Sequence, residues 1–510
     1  MQLTRRSALQ SLAGLSVSRL AMSAQDGPTF QPEWNSLKQY RCPEWFRDVK
    51  FGIWAHWGPQ GAPKQGDWYA RNMYIQGTRQ YEYHLKHYGH PSTVGFKDII
   101  PLWTAKNWEP ETLIRRYKKA GARYFASLGV HCDNFDCWNS KHHRWNAVNM
   151  GPKRDIVGTW CRIARENGMR FAVSEHLAWS YSWFNVNKDA DAKGPYAGVP
   201  YDGNDPRNQD FYFEPHAERA ANFTQQPSES FKLSWFSRIQ DLIDQYKPDL
   251  VYTDGGVFGQ IGRDLIAYYY NASMGWHNGN QEGVYTIKAQ RPGGKTGEWE
   301  EGAGTRDMER TVLSDISPQP FHTDMCLGQW QYFEGFEYKT SRDVIHTLID
   351  VVSKNGTMLL SVPQMPDGTL DSQEESILDD ITRWMAVNSE AIYDTRPWKK
   401  FGEGQETTTG QVLDLRTRKA LTARDLRFTI KNGKLFLFCL GWPDQDIDVR
   451  ALGTAAGLWT SKISNIRLLG SEEKIKWTLV PEQLRITRPA HQPGNVDPVP
   501  RAWGAAGGPE

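Results

Sequence analysis

The sequence predicts an α/β fold, a (β/α)8-like barrel followed by a C-terminal β-sandwich domain. Short apolar runs of strand type alternate with helical patterns from residue 51 to residue 390, which is typical of a parallel β/α barrel. Several of these runs end on His, Glu or Asp, as the catalytic rim of such a barrel requires. Beyond residue 400, short strand-like runs follow one another without helical patterns, which predicts the sandwich.

Each predicted barrel strand is a short apolar run bounded by turn residues. These runs occupy residues 51–56, 124–131, 170–176, 250–254, 284–288, 322–327 and 358–362. Residues with helical spacing lie at 108–121, 154–168, 231–246, 262–272, 340–354 and 372–390. Strands of the sandwich are predicted at 426–430, 434–440, 447–449, 463–469 and 475–479. We therefore assign residues 30–398 to the barrel, 399–488 to the sandwich, and the Pro-, Gly- and Ala-rich residues 489–510 to a flexible tail.

The N-terminus has the layout of a bacterial export signal. Arg5 and Arg6 precede a modest apolar stretch over residues 9–21, and small residues follow it. The arginine pair indicates the twin-arginine route, so we assign residues 1–24 to a signal peptide and expect an exported protein, periplasmic or secreted. The apolar stretch is too short to span a bilayer, so we expect no membrane insertion.

Composition narrows the class of function. At 510 residues, with 39% hydrophobic and 23% charged residues, the chain suits a globular protein of two domains. A net charge of +1 gives no electrostatic reason to bind nucleic acid. The 22 Trp residues favour a carbohydrate ligand, because aromatic faces stack on sugar rings. We expect no cofactor, and a homo-oligomer is compatible with this composition.

Candidate site residues lie at the ends of the predicted strands. Asp254 closes the run 250–254 and precedes two glycines, so it lies where barrels carry their catalytic groups. Other polar or aromatic residues at or just beyond strand ends are His56, Asp67, Trp68, His131, Glu175 and His176. A metal-dependent hydrolase built on His131, Cys132 and His142–His143 is an alternative, but the spacing of these residues matches no standard site, and we predict no metal.

A carboxylate at position 254 needs a partner if the chain hydrolyses glycosidic bonds, because that reaction usually employs two carboxyl groups. The partner should lie on a neighbouring loop of the same rim. The acids of the segment 282–310 are Glu282, Glu298, Glu300, Glu301, Asp307 and Glu309. Spacing alone does not choose among them.

Several motifs, in one consistent order over residues 35–400, resemble the family 29 glycoside hydrolases, the α-L-fucosidases. The motifs are Phe51-Gly-Ile-Trp-Ala-His56-Trp57-Gly58, Gly151-Pro-Lys-Arg-Asp155, Pro248-Asp-Leu-Val-Tyr-Thr-Asp254-Gly255, Val352-Ser-Lys-Asn-Gly356 with Pro366-Asp-Gly368, and Asn388-Ser-Glu390-Ala-Ile-Tyr393. The resemblance implies a β/α barrel with a C-terminal β-sandwich. It also implies an exo-acting retaining enzyme that hydrolyses terminal α-L-fucosyl residues by double displacement, without a cofactor.

The resemblance also implies roles for single residues. Asp254 takes the position of the nucleophile. Arg306-Asp-Met-Glu309-Arg310 is most similar to the segment that holds the acid/base glutamate, which favours Glu309 and keeps Glu300 and Glu301 as alternatives. The implied substrate-binding residues are His56, Asp67, Trp68, His131, Lys288 and Trp330.

Two departures from the family pattern fall near the predicted sugar site. The chain has His131-Cys132 where the family commonly has paired histidines, and Ser174-Glu175-His176 where it commonly has Tyr-Ser. We expect Glu175 and His176 to contact substrate, with His176 taking over the sugar contact that a histidine in place of Cys132 would make. The departures leave open the same mechanism acting on α-L-galactosides or sulfated fucan fragments, and a non-catalytic carbohydrate-binding protein on the same fold.

Overall fold

The computed structural model describes residues 29–221, 223–288, 298–404, 412–415, 420–492 and 501–507. The first nine strands are β1 (Phe51–Ala55), β2 (Tyr124–Val130), β3 (Arg170–Glu175), β4 (Leu250–Thr253), β5 (Val284–Lys288), β6 (Thr305–Asp307), β7 (Thr311–Leu313), β8 (Phe321–Cys326) and β9 (Gly356–Ser361). All of these except β7 form a closed barrel in the order β1-β2-β3-β4-β5-β6-β8-β9. Every neighbouring pair is parallel, and β9 closes the ring on β1. The predicted barrel is therefore confirmed.

Helices alternate with the barrel strands along the chain. They are α1 (Trp34–Leu37), α2 (Glu44–Val49), α3 (Tyr69–Asn72), α4 (Arg79–His87), α5 (Phe96–Ile99), α6 (Pro110–Lys119), α7 (Ile156–Glu166), α8 (Leu177–Trp183), α9 (Gln209–Tyr212), α10 (Glu229–Tyr246), α11 (Gly259–Trp276), α12 (Ser341–Ser353) and α13 (Ser372–Asn388). Local sequence fixes several starts: the Asp155 carboxylate accepts from the Gly158 N–H at α7, and Thr340 with Asp343 forms a capping box at α12.

The C-terminal domain consists of two antiparallel sheets, as predicted. Its strands are β10 (Arg396–Glu403), β11 (Val412–Asp414), β12 (Leu426–Lys431), β13 (Lys434–Cys439), β14 (Ile447–Val449), β15 (Ile463–Leu468), β16 (Trp477–Leu479), β17 (Leu484–Ile486) and β18 (Arg501–Gly507). One sheet has the order β10-β12-β13-β18-β15 and the other β14-β17-β16, while β11 pairs with β7. Side chains of both sheets, such as Phe428 and Leu484, share one apolar core.

The expectation of a flexible tail is wrong for residues 501–507. These residues form β18, which pairs with β13 on one side and β15 on the other. Their sequence, Arg-Ala-Trp-Gly-Ala-Ala-Gly, lacks the β-branched residues that signal a strand. Main-chain hydrogen bonds to two neighbouring strands therefore stabilise β18, although its local composition does not predict a strand.

A buried ionic cluster joins the barrel to the sandwich. Asp350 of α12 pairs with Arg427 of β12 and with Lys354, and all three side chains are almost fully buried. The Phe401 ring packs against both cations. Because one buried carboxylate pairs with a cation from each domain, the two domains share a polar contact that water does not reach.

Three observations concern the export signal, membrane-spanning helices and the cysteines. The predicted signal peptide, residues 1–24, lies outside the described residues. Across the described ranges, no helix combines the length and apolar character needed to cross a bilayer. All six cysteines are free thiols, and all except Cys42 are buried.

Candidate active site

Successive barrel strands deliver the candidate site residues to one mouth of the barrel. The carboxyl ends of parallel strands meet there, so residues at strand ends become neighbours. His56 follows β1, His131 follows β2, His176 follows β3, Asp254 follows β4, Lys288 ends β5 and Glu309 lies two residues beyond β6. The strand-end residues identified from the sequence therefore lie together at one site.

Asp254 is held by its backbone and by both carboxylate oxygens. Its N–H donates to the Glu175 carbonyl at 2.9 Å. Oδ2 lies 2.9 Å from His176 Nδ1, and Oδ1 makes an ion pair with Lys288 Nζ. Gly255 turns the chain away with φ +104°, and a Cβ there would lie 2.8 Å from the Trp179 indole nitrogen. This position therefore requires glycine, and the turn aims the carboxylate into the mouth of the barrel.

The charges around Asp254 keep it ionised. Burial alone would raise its pKa, but the Lys288 ammonium and the His176 imidazole outweigh burial and hold the pKa of Asp254 well below its usual range. Its side chain is still 14% exposed, so it faces the open mouth. A carboxylate that is ionised at every working pH, and accessible, has the properties of a nucleophile.

Lys288 bridges Asp254 and Glu309. Its Nζ contacts Asp254 Oδ1 and lies 2.7 Å from Glu309 Oε2. Asp254 Oδ1 and Glu309 Oε2 therefore lie close to each other, because both contact the same nitrogen atom at 2.7 Å or less. The pKa of Lys288 is raised above its usual range, because the carboxylates of Asp254 and Glu309 together outweigh its burial.

Arg310 and Trp330 form one wall beside Glu309. The Arg310 guanidinium lies 4.8 Å from the centre of the Trp330 ring, and its Nε is 3.9 Å from Glu309 Oε1. Arg310 has φ +52°, a conformation that costs energy for a residue with a side chain. Trp330 itself lies 5.6 Å from the His56 ring, so it borders the same space.

Three buried imidazoles form the floor. His131 and His176 stack with ring centres 4.7 Å apart, and His56 meets both rings edge-on. Burial and the neighbouring His176 lower the pKa of His56 and of His131, so both rings are neutral. Gln331 lies 3.3 Å from His56 Nδ1, and Gln60 lies 2.7 Å from His131 Nδ1. These contacts orient the rings and leave the second nitrogen of each for a ligand.

The arrangement of the histidines suits hydroxyl groups better than a metal ion. Nitrogen atoms of His56, His131 and His176 lie within 4.8 Å of one another. However, the His131 and His176 rings are only 22° from parallel, and lone pairs in stacked planes do not converge on one ion. Cys132 and His142–His143, the other ligands of the metal alternative, do not join this cluster, and His142 is exposed.

Asp67 and Trp68 border the histidines from the loop after β1. Asp67 Oδ1 lies 3.7 Å from His131 Nε2, and burial raises the pKa of Asp67 to about 7. Trp68 has a left-handed backbone, φ +63°, and packs edge-on against Trp183 at 5.8 Å. A strained residue beside polar groups is typical of a binding site.

The comparison with known families decides the class of this site. A sequence profile described as α-L-fucosidase matches residues 17–390. The chain belongs to the α-L-fucosidase family. It is therefore a glycoside hydrolase, and the resemblance seen in the sequence motifs is confirmed.

Individual fucosidases are similar to this chain over nearly its whole length. Tissue α-L-fucosidase of Rattus norvegicus is 24% identical and covers 95% of this chain and 94% of its own length. The Homo sapiens tissue enzyme is 24% identical over 94% of this chain and 92% of its own. A crystal structure of Thermotoga maritima α-fucosidase with a mechanism-based inhibitor is 23% identical, covers 94% of this chain and all of its own, and superposes with a TM-score of 0.71.

Three acids considered as candidates from the sequence lie outside this α-L-fucosidase site. Glu175 accepts from the Leu177 N–H at 2.9 Å and the Trp235 indole at 3.3 Å, so its carboxyl lies against α10, not in the mouth. The expectation that Glu175 contacts substrate is therefore not met. Glu300 pairs with Lys38 at 2.6 Å near the surface, and Glu301 is exposed.

The structure adds residues that the sequence did not point to. Gln60 and Gln331 orient His131 and His56, and the indole N–H of Trp179 donates to the Asp254 carbonyl. Isolated glutamines carry no motif, so no sequence signal identified them. Arg310 directly follows Glu309 and was visible only as part of the motif around that residue.

Proposed function

We propose that this chain is an exo-acting, retaining α-L-fucosidase that removes terminal α-L-fucosyl residues from glycans or fucose-containing polysaccharides. The observation that carries the proposal is the contact of one ammonium, Lys288 Nζ, with both Asp254 and Glu309. Retaining glycosidases need carboxyl groups about 5–5.5 Å apart, whereas inverting enzymes leave about 6.5–9.5 Å for a water molecule. An ammonium in contact with both groups favours the closer spacing.

In the first step, Asp254 attacks the anomeric carbon and forms a covalent glycosyl ester. The bond from that carbon to the leaving oxygen breaks, and Glu309 donates a proton to the leaving oxygen. In the second step, Glu309 takes a proton from water, and the water oxygen displaces Asp254. Two inversions at the same carbon retain its configuration, and both carboxyl groups return to their starting states.

Lys288 serves both steps because the negative charge moves between its two partners. Asp254 is charged before the attack and neutral in the ester. Glu309 becomes charged as it gives up its proton. One ammonium in contact with both groups stabilises the charge at either end without having to move far.

Neutral imidazoles and aromatic rings account for sugar recognition. His56 and His131 each have one nitrogen oriented by a glutamine and a second available to a ring hydroxyl. Trp330, which is partly exposed and lies 5.6 Å from the His56 ring, offers an apolar wall for the C5 methyl group of fucose. His176 contacts Asp254 and stacks on His131, so it links the nucleophile to the sugar-binding floor.

The configuration of the first product tests the proposed function. We expect hydrolysis of 4-nitrophenyl α-L-fucoside, followed by proton NMR, to show α-L-fucose before it equilibrates with the β anomer. Initial β-L-fucose would contradict the double displacement. Faster turnover of the matched α-L-galactoside, or turnover only of sulfated fucosides, would keep the mechanism and change the sugar. Binding of fucose without turnover of any of these substrates would favour the carbohydrate-binding alternative.

We also propose that residues 1–24 direct export by the twin-arginine route. The support is the Arg5–Arg6 pair ahead of the apolar residues 9–21. In a bacterial host, the double variant Arg5→Lys, Arg6→Lys should accumulate in the cytoplasm at full length, while the wild-type chain is exported and shortened. Equal export of both chains, read by fractionation and mass spectrometry, would argue against this route.

A further inference from the structure

The buried face of α10 is polar where packing alone would need only apolar side chains. Trp235, Arg238 and Asp241 follow one another at intervals of three residues, so they lie on one face of the helix. All three are buried, and each makes a side-chain hydrogen bond to a segment outside α10. Burying polar groups costs free energy unless each finds a partner. The partners of these side chains therefore indicate the role of this face.

Arg238 holds the loop that follows β2 and begins with His131. Its Nε and Nη2 atoms donate to the two carboxylate oxygens of Asp136, at 3.2 Å and 2.5 Å. Its Nη1 atom donates to Asn134 Oδ1 at 2.6 Å. One planar guanidinium therefore fixes two side chains of the loop at once, which the single nitrogen of a lysine cannot do.

The bonds to Arg238 restrain the backbone beside His131. Asn134 is left-handed, with φ +61°, and its N–H donates to the His131 carbonyl at 3.2 Å. The ion pair between Arg238 and Asp136 is almost fully buried. Such a pair adds little net stability compared with apolar packing, because desolvation offsets the attraction. Its fixed geometry instead selects one position for the loop.

Trp235 holds the second histidine through the residue before it. The Trp235 indole N–H donates to Glu175 Oε2 at 3.3 Å, and the same oxygen accepts from the Leu177 N–H at 2.9 Å. His176 lies between these two residues and contacts Asp254 Oδ2 through Nδ1. The Glu175 carbonyl accepts from the Asp254 N–H. Fixing the Glu175 side chain therefore restrains two groups that hold the nucleophile.

The two restrained segments meet where His131 stacks on His176. The ring centres are 4.7 Å apart and the ring planes differ by 22°. We propose that Arg238 and Trp235 are positioning residues, which set this stack from α10 and so fix the sugar-binding floor relative to the nucleophile. The assignment rests on the proposed function, because it takes His131 as a sugar ligand and His176 as a support of the nucleophile.

Arg238→Lys and Trp235→Phe test the two residues separately. The lysine keeps a positive charge for Asp136 but cannot also hold Asn134, and the phenylalanine keeps a ring but removes the N–H. We expect kcat/KM for 4-nitrophenyl α-L-fucoside to fall about 10- to 100-fold in each variant, because a misplacement of about 1 Å costs up to that much. Arg238→Lys should act mainly on the affinity for L-fucose and Trp235→Phe mainly on kcat. Wild-type kcat/KM in either variant would overturn the proposal.

Arg427→Lys is the matched control for stability. Arg427 and Asp350 form an ion pair that is as deeply buried as that of Arg238, but it joins the barrel to the sandwich. The control should lower the melting temperature and leave both kcat and the affinity for L-fucose unchanged. If it lowered them as much as Arg238→Lys does, the loss would follow from destabilisation alone, and the proposal would be overturned.

Double variants decide whether each residue acts through its histidine. Arg238→Lys added to His131→Phe should cause no further loss of affinity for L-fucose, because the ring nitrogens through which it acts are already gone. Likewise, Trp235→Phe added to His176→Phe should cause no further loss of kcat. A merely structural role gives losses that add, so additive losses would overturn the proposal.

Hydrogen exchange read by mass spectrometry tests the restraint without substrate. Amides of residues 131–137 should exchange faster in Arg238→Lys than in wild type, and those of residues 175–183 faster in Trp235→Phe. Unchanged exchange in both segments would overturn the proposal. If the wild type neither binds nor hydrolyses fucosides, the proposed function fails, while this measurement still decides whether α10 orders the two histidine segments.

Asn134→Gly replaces Arg238→Lys if that variant does not fold. Glycine accepts the left-handed turn at this position but gives Arg238 nothing to hold, while the ion pair with Asp136 stays intact. The affinity for L-fucose should again fall, and an unchanged affinity would overturn the proposal.

Discussion

Replacing Asp254 by Gly should lower kcat/KM for 4-nitrophenyl α-L-fucoside by about 10³-fold or more, or roughly 4 kcal/mol of transition-state stabilisation. The carboxylate is the only group at this point of the site that is ionised, exposed to the mouth and held by both His176 and Lys288, among the residues the structure describes. Steady-state rates with the aryl fucoside measure the loss. Turnover within tenfold of wild type would exclude Asp254 as the nucleophile.

A small anion should identify the role of the missing carboxylate. Azide can enter the space left in Asp254→Gly and attack the anomeric carbon from the same face, which gives a single displacement and a fucosyl azide of inverted, β configuration. Asp249→Asn is the matched control, because Asp249 lies at the opposite end of the same strand, where it pairs with Arg170. It should keep turnover and gain nothing from azide.

Replacing Glu309 by Ala should produce the second large effect, and its size should depend on the leaving group. General acid catalysis contributes about 10²–10⁴-fold, so unactivated disaccharides should lose about that much. Aryl fucosides with strongly acidic phenols need no proton and should still form the glycosyl ester rapidly. Pre-steady-state release of the phenol measures this first step separately from the slower hydrolysis of the ester.

Azide should rescue Glu309→Ala differently from Asp254→Gly. It needs no general base, so it attacks the glycosyl ester and gives a fucosyl azide of retained, α configuration. Glu300→Gln and Glu301→Gln are the matched controls, since Glu300 pairs with Lys38 and Glu301 is exposed. If either of these shows the leaving-group dependence and Glu309→Ala does not, the acid/base assignment is wrong.

Sequence patterns were sufficient for the barrel because most of its strands are continuous apolar runs. They failed at β6, whose residues are Thr305, Arg306 and Asp307, because a polar run of three residues has no strand signature. The ring of parallel neighbours, not local propensity, keeps it in place. β18 escaped prediction for a similar reason, since pairing on both sides defines it.

The candidate site was predictable wherever a residue ends a strand. Asp254, His56, His131 and His176 follow this rule and meet in the structure. Glu175 is the instructive exception, because side chains of a strand alternate between two faces and a shift of one residue turns the carboxyl outward to α10. The contacts of Gln60 and Gln331 join segments far apart in the chain, so only the fold brings them together.

The cluster of Asp350, Lys354 and Arg427 has a consequence for how the enzyme can be divided. Removing the sandwich would take away Arg427 and its ion pair with Asp350, and would expose the side of α12 that now packs against the second domain. We therefore expect the isolated barrel to be less stable than the whole chain. We expect a minimal catalyst cut from this chain to need a redesigned surface where the two domains now meet.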